Sequence, residues 1–131
     1  MKRLVHNNTS VVNINYHLIW CPKYRRKVLV GGIELRLKEI LPQIAKELGC
    51  EIETMEVMSD HIHIFLKGTP IIPIHLIVKT LKGKSSRILR EEFPVLKSRL
   101  PNLWTRSYYC ETIGCISEEA IKKYIEEQKN N

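Results

Sequence analysis

The chain has 131 residues, 44% of them hydrophobic and 27% charged, the size and balance of a single globular domain with one modest core. Lysine and arginine outnumber aspartate and glutamate by 21 to 14, and the resulting net charge of +7 favours a polyanionic partner, with nucleic acid the first choice. No apolar run reaches the roughly eighteen residues of a membrane span. The opening Met1-Lys2-Arg3-Leu4-Val5-His6-Asn7-Asn8 lacks the apolar segment of a secretory signal, so the cytoplasm is the expected location. Cys21, Cys50, Cys110 and Cys115 contain no Cys-x-x-Cys pair, which argues against a zinc ribbon or a dithiol redox site.

From Val11 to Trp20, the residues Val12, Ile14, Tyr16, Leu18 and Trp20 alternate with Asn13, Asn15, His17 and Ile19, the pattern of a half-buried strand. A basic cluster, Lys23, Arg25, Arg26 and Lys27, follows it directly. From Ile33 to Leu48, the residues Leu37, Ile40, Leu41, Ile44, Ala45 and Leu48 recur at helical spacing, and Gly49 supplies a stop. Pro42 inside that pattern predicts a kink or a shortened helix. Glu51 to Met58 and His61 to Lys67 read as two strands separated only by Ser59-Asp60, which predicts an antiparallel hairpin.

A second helix is expected from Pro73 onward. Ile74, Ile77, Val78, Leu81, Ile88 and Leu89 form its apolar stripe, Lys79, Lys82, Lys84, Arg87 and Arg90 occupy much of the remainder, and Gly83 is its weak point. Residues 93–103, with Pro94 and Pro101, read as a connection, and Trp104 to Ile113 as a fourth strand. After Gly114, Ser117 suits a helix N-cap, and Glu118 and Glu119 suit the positive end of a helix running through Gln128. The order β-α-β-β-α-β plus a terminal helix is the α+β, ferredoxin-like split βαβ arrangement: one domain with a core over about 11–113 and a terminal helix over about 117–129. Both connecting helices should lie on one sheet face. The other face is then open, shared with a partner, or covered by the terminal helix.

His61-Ile62-His63 falls in the second hairpin strand. Side chains two apart on a strand point the same way, about 7 Å apart, so both imidazoles face one side and can share a metal ion, while Ile62, Ile64 and Leu66 face the core. Asn13, Asn15 and His17 are candidates for the same face. On the terminal helix, Tyr124 and Gln128 stand one turn apart and can address one site together.

Four segments, taken in order, resemble the small single-tyrosine HUH transposases, the TnpA type of insertion-sequence element. They are Trp20-Cys21-Pro22-Lys23-Tyr24-Arg25-Arg26-Lys27, Met58-Ser59-Asp60-His61-Ile62-His63, Leu81-Lys82-Gly83-Lys84-Ser85-Ser86-Arg87 and Tyr124-Ile125-Glu126-Glu127-Gln128. The resemblance runs from about Val11 to Gln128. It implies transposition of single-stranded DNA with hairpin ends by a homodimer, with Tyr124 as nucleophile and His61, His63 and Gln128 as ligands of a divalent metal. It further implies a terminal helix able to cross the dimer, so that Tyr124 of one subunit serves the histidines of the other, with Gly114 near the hinge.

The chemistry suits these residue types. A metal on a non-bridging phosphate oxygen draws off charge that develops during attack, and two neutral imidazoles plus a neutral amide oxygen leave the ion its full charge. Mg²⁺ or Mn²⁺ is the expected ion. Tyrosine, with an ordinary pKa near 10, needs help in losing its proton, and a phosphotyrosine preserves the ester bond for later resealing. Lys23, Arg25, Arg26, Lys27, Lys79, Lys82, Lys84 and Arg87 are the candidate phosphate contacts, with Tyr24, Trp104 and Tyr108 as possible stacking platforms. Two rivals stand beside this reading: a metal-dependent nuclease using His61, His63 and His17 without a covalent intermediate, and a non-catalytic nucleic-acid-binding module.

Overall fold

A computed structural model describes residues 5–6, 11–12, 14–114, 123 and 125–127. Strands β1 (Val5–His6) and β2 (Val11–Val12) pair with each other as a small antiparallel ribbon, so the first long strand of the main sheet is β3 (Ile14–Trp20). After a short 3-10 turn at Lys23–Arg25 come helix α1 (Gly31–Glu47), strands β4 (Glu51–Met58) and β5 (His61–Gly68), helices α2 (Ile74–Glu92) and α3 (Pro94–Arg99), and strand β6 (Tyr109–Ile113). The sheet order is β4-β5-β3-β6 with every neighbour antiparallel, and the ferredoxin-like α+β arrangement expected from the element order is what forms.

The hairpin between β4 and β5 closes through Ser59-Asp60, with Met58 opposite His61. At Gly49, φ of 78° places the chain in the left-handed region that glycine adopts without strain. There the Gly49 N–H bonds to Lys46 O at 3.0 Å and the Cys50 N–H to Ala45 O at 2.9 Å, the paired bonds of a Schellman stop.

One face of the sheet carries the core. Leu18 and Trp20 of β3 and Ile62, Ile64 and Leu66 of β5 pack against Leu37, Leu41 and Ile44 of α1 and Ile77, Leu81 and Leu89 of α2. Trp104, expected to begin a strand, instead makes an isolated bridge with Pro22. It is buried, donates its indole N–H to Ser85 Oγ at 3.0 Å, and meets Trp20 edge to face. That anchoring to α2 postpones the strand to Tyr109. The stretch expected to be a plain connection contains α3, which Pro94 starts from the first helical position, where its missing N–H costs nothing.

Pro42 does not end α1, and Gly83 does not break α2. Buried Leu37, Ile40 and Leu41 before Pro42 and Ile44 and Ala45 after it hold both halves of α1 on the sheet, so tertiary packing overrides the lost hydrogen bond. Pro42→Ala restores that bond and is expected to raise the unfolding free energy in urea by about 1 to 3 kcal/mol.

Candidate active site

The strand register decides which side chains share the second sheet face. His17 of β3 lies opposite Phe65 of β5 and Glu111 of β6, and Ile19 lies opposite His63 and Tyr109. Residues directly opposite share a face, so Tyr109, Glu111, His17, His63, Phe65 and His61 form one patch. This face is not open. Phe65 is buried with Ile113 and Ile125 packed against it, and Asn15, His17 and Lys67 are buried as well. Residues 123 and 125–127 are helical, and Ile125 brings that segment against Phe65. Asn13, Ser117, Glu118, Glu119, Tyr124, Gln128 and Cys115 lie outside the described residues.

His61 and His63 stand side by side as expected, their ring centroids 5.1 Å apart. His61 Nδ1 is 2.7 Å from Asp60 Oδ1, and Asp60 Oδ2 receives a hydrogen bond from Arg25 Nη2 at 3.3 Å. The bond from His61, reinforced by Arg25, holds the Asp60 carboxyl below its ordinary range. His63 Nδ1 is 3.0 Å from Nε2 of His17, whose ring lies between His63 and Phe65 with its plane within 8° of both. Glu111 Oε1 lies 3.9 Å from His17 Nδ1, an electrostatic rather than a hydrogen-bonded distance, and Tyr109 OH donates to the other Glu111 oxygen. That bond raises the Tyr109 phenol above its ordinary value.

The donor set fits a divalent metal in part. Each histidine has Nδ1 turned to a partner at its back, and with the proton on that nitrogen the lone pair lies on Nε2. Among the described residues no group of three or more His, Cys, Asp and Glu side chains converges as a complete site, so two imidazoles are what this face offers. Sequence reasoning named His17 only as a face neighbour or rival ligand, and it missed Asp60, Glu111 and Tyr109. Asp60 could have been found from its adjacency to His61 in a two-residue turn. Glu111 and Tyr109 required the register.

The cations divide into those the fold engages and those it leaves exposed. Lys82 Nζ donates to the carbonyls of Thr105, Arg106 and Ser107 at 2.6, 3.3 and 3.1 Å, and burial pushes its ammonium below its ordinary value. Lys84 pairs with Glu47 at 3.4 Å. Lys79, Arg87, Arg26 and Lys27 are exposed. Tyr24 and Arg25 both adopt left-handed backbone, φ 60° and 52°, which strains the 3-10 turn but leaves Tyr24 66% exposed with the Lys23 ammonium 5.6 Å from its ring. A cavity of about 320 Å³ between α2 and the 102–108 segment is lined by His75, Lys79, Lys82, Asn102, Arg106 and Tyr108.

His17 is 0% exposed, and burial, with His63 beside it, drives its pKa from 6.5 to about 4 against the opposing pull of Glu111. The unfolded chain therefore binds this proton more readily than the folded one between those values, so stability is present above pH 6.5 and falls as pH drops toward 4. In chelator, unfolding free energies measured across that window are expected to lose up to about 3 kcal/mol through this group, and His17→Gln should flatten that part of the slope.

A family model described as "Transposase IS200 like" matches residues 10–128. The chain is 48% identical over 120 residues to the ISDra2 transposase TnpA of Deinococcus radiodurans, covering 90% of this chain and 86% of that one. It is 34% identical over 122 residues to the transposase for insertion sequence element IS200 of Salmonella typhimurium, covering 89% and 80%. A crystal structure of a Deinococcus radiodurans R1 protein described as a transposase superposes with a TM-score of 0.77 at 41% identity, covering 98% of both chains. The structure of a REP-associated tyrosine transposase bound to a REP hairpin shares the fold at a TM-score of 0.60 and 12% identity, over 92% of this chain and 67% of that one. With the family match spanning nearly the whole chain and close relatives covering about nine-tenths of it, the protein belongs to the IS200-like transposases.

Proposed function

We propose that this transposase cleaves and rejoins single-stranded DNA at the ends of an insertion sequence, with Tyr124 as nucleophile and His61, His63 and Gln128 holding Mg²⁺ or Mn²⁺. The observation that carries the reading is the side-by-side pair His61 and His63 on the face where Ile125, next to Tyr124 in sequence, packs against Phe65. Such an ion, when bound, would withdraw charge developing on the phosphate oxygens. The chain's own residues do the remainder. Asp60 and His17 hold the imidazoles, and the terminal helix carries the tyrosine hydroxyl that attacks phosphorus. The P–O bond to the 3′-oxygen breaks, the DNA 5′-phosphate stays on the tyrosine as an ester, and a later 3′-hydroxyl reverses the exchange without ATP.

The Ile125 contact is made within one chain. Gly114 is exposed with no atom of the described residues within 4 Å of a Cβ at that position, and a hinge there would let the same helix serve the second subunit of a homodimer. The phosphate contacts in this reading are Lys23, Arg25, Arg26 and Lys27 at the strained turn and Lys79, Lys84 and Arg87 on α2. Lys82, by its three carbonyl bonds, acts on the 105–107 segment instead. That a distant relative was solved with a REP hairpin supports hairpin-ended DNA as the substrate class. The nuclease rival needs His17 as a third ligand, but its Nε2 meets His63 Nδ1, behind the pair rather than beside it.

Incubated with labelled single-stranded DNA carrying its element's ends and Mn²⁺, the protein is expected to form a protein–DNA adduct that survives denaturing electrophoresis. Tyr124→Phe should abolish it and Tyr109→Phe should retain it. Cleavage without an adduct, or an adduct that persists in Tyr124→Phe, sinks the proposal. Lys79→Ala is expected to weaken DNA binding and lower the slope of log K against log salt by about 1. Lys82→Ala should chiefly lower the thermal midpoint.

A further inference from the structure

The two imidazoles of the pair are held from behind by different groups. His61 meets a carboxylate, Asp60, at 2.7 Å, whereas His63 meets another imidazole, His17, at 3.0 Å in the middle of the sheet. We propose that His17 is a positioning residue for His63: its Nε2 accepts the Nδ1–H of His63, and Glu111 keeps the proton of His17 on the far nitrogen, Nδ1. This rests on the reading of His63 as a metal ligand.

A neutral imidazole carries one proton on two nitrogens, so a contact between two rings has two polarities. Were His17 the donor, His63 would accept on Nδ1 and carry its own proton on Nε2, leaving no lone pair there for a metal. With His63 as donor, its lone pair lies on Nε2, the nitrogen directed away from His17. The charge of Glu111, 3.9 Å from His17 Nδ1, selects the second polarity by favouring a proton on that nitrogen. The Tyr109 hydroxyl holds the carboxylate on this face through its own hydrogen bond. The ring planes of His17 and His63 lie within 8° of each other, so the N–H of one and the in-plane lone pair of the other can point along a common line. Phe65 restrains His17 in this arrangement by stacking against its ring with centroids 4.6 Å apart. The chain thus runs Tyr109, Glu111, His17, His63 across three adjacent strands: Tyr109 holds the Glu111 carboxylate, whose charge sets the proton of His17, and His17 in turn sets that of His63.

Long-range ¹H–¹⁵N spectra of the metal-free full chain at neutral pH read each tautomer directly. His63 and His17 are both expected as Nδ1–H. A His63 found as Nε2–H overturns the proposal whatever the metal does. His17→Phe keeps a planar ring and removes the acceptor, and it is expected to move His63 toward Nε2–H and weaken Mn²⁺ binding in calorimetry roughly 10- to 100-fold. His17→Gln, whose amide oxygen reaches the position of Nε2, should restore most of that affinity. Glu111→Val, on the edge strand and clear of the core, provides a variant that stays folded and should shift both tautomers the same way. If His17→Phe weakens Mn²⁺ binding while the His63 tautomer stays put, His17 is only structural and the proposal fails. If His63→Ala binds Mn²⁺ as well as the parent does, the ligand reading falls and takes the relay with it, an outcome separable from the tautomer result.

Discussion

A slip of one residue between β3 and β5 would turn His61 and His63 into the helix layer and put Ile62 and Ile64 on the other face. The register that prevents this is enforced from the core side, where Leu18, Trp20, Ile62, Ile64 and Leu66 are all essentially sealed from solvent under α1 and α2. Everything on the second face inherits its position from that apolar constraint. His17 falls beside Phe65, and Glu111 falls beside His17, because the core-facing residues between them have no alternative seat. The polar patch is thus a consequence of the hydrophobic one.

The basic surface is ordered by the same economy of contacts. Lys82 lies within a lysine-rich stretch that looks uniform in sequence, yet its ammonium is bonded to three successive carbonyls and helps hold the 105–108 segment against α2. That segment in turn pairs with residues 21–23 through the Lys23 N–H to Leu103 O and the Thr105 N–H to Cys21 O bonds. The strained turn at Tyr24 and Arg25 is therefore tied at one end to the 103–105 segment and at the other, through Asp60, to the back of His61. The cations of the turn and the paired imidazoles share one mechanical frame.

Much of this could be read from the chain, and the misses have definite causes. The His61/His63 alternation, the two-residue hairpin turn and the apolar stripes of α1 and α2 are local patterns, and all formed as read. Pro42 was read by its intrinsic cost, which packing on both sides of it outweighs. Trp104 was read by its β-propensity, but a buried indole that needs a partner for its N–H took Ser85 of α2 instead. Spacing along the chain allows the second face to be open, shared or covered, and Ile125 on Phe65 selects coverage by the chain's own C-terminal segment.

The sequence by itself determined the element order, the α+β class, the face on which the two histidines stand and the excess of positive charge, because each depends on spacing along the chain or on composition. It also carried the family, through four separated motifs in a common order. Only the tertiary structure decided what stands behind those histidines. Asp60 could be guessed from adjacency, but Glu111 is 94 residues from His17 in the numbering and meets it only through the pairing of β3 with β6. Strand register is set by burial summed over the whole sheet, and no local pattern near His17 or Glu111 encodes it.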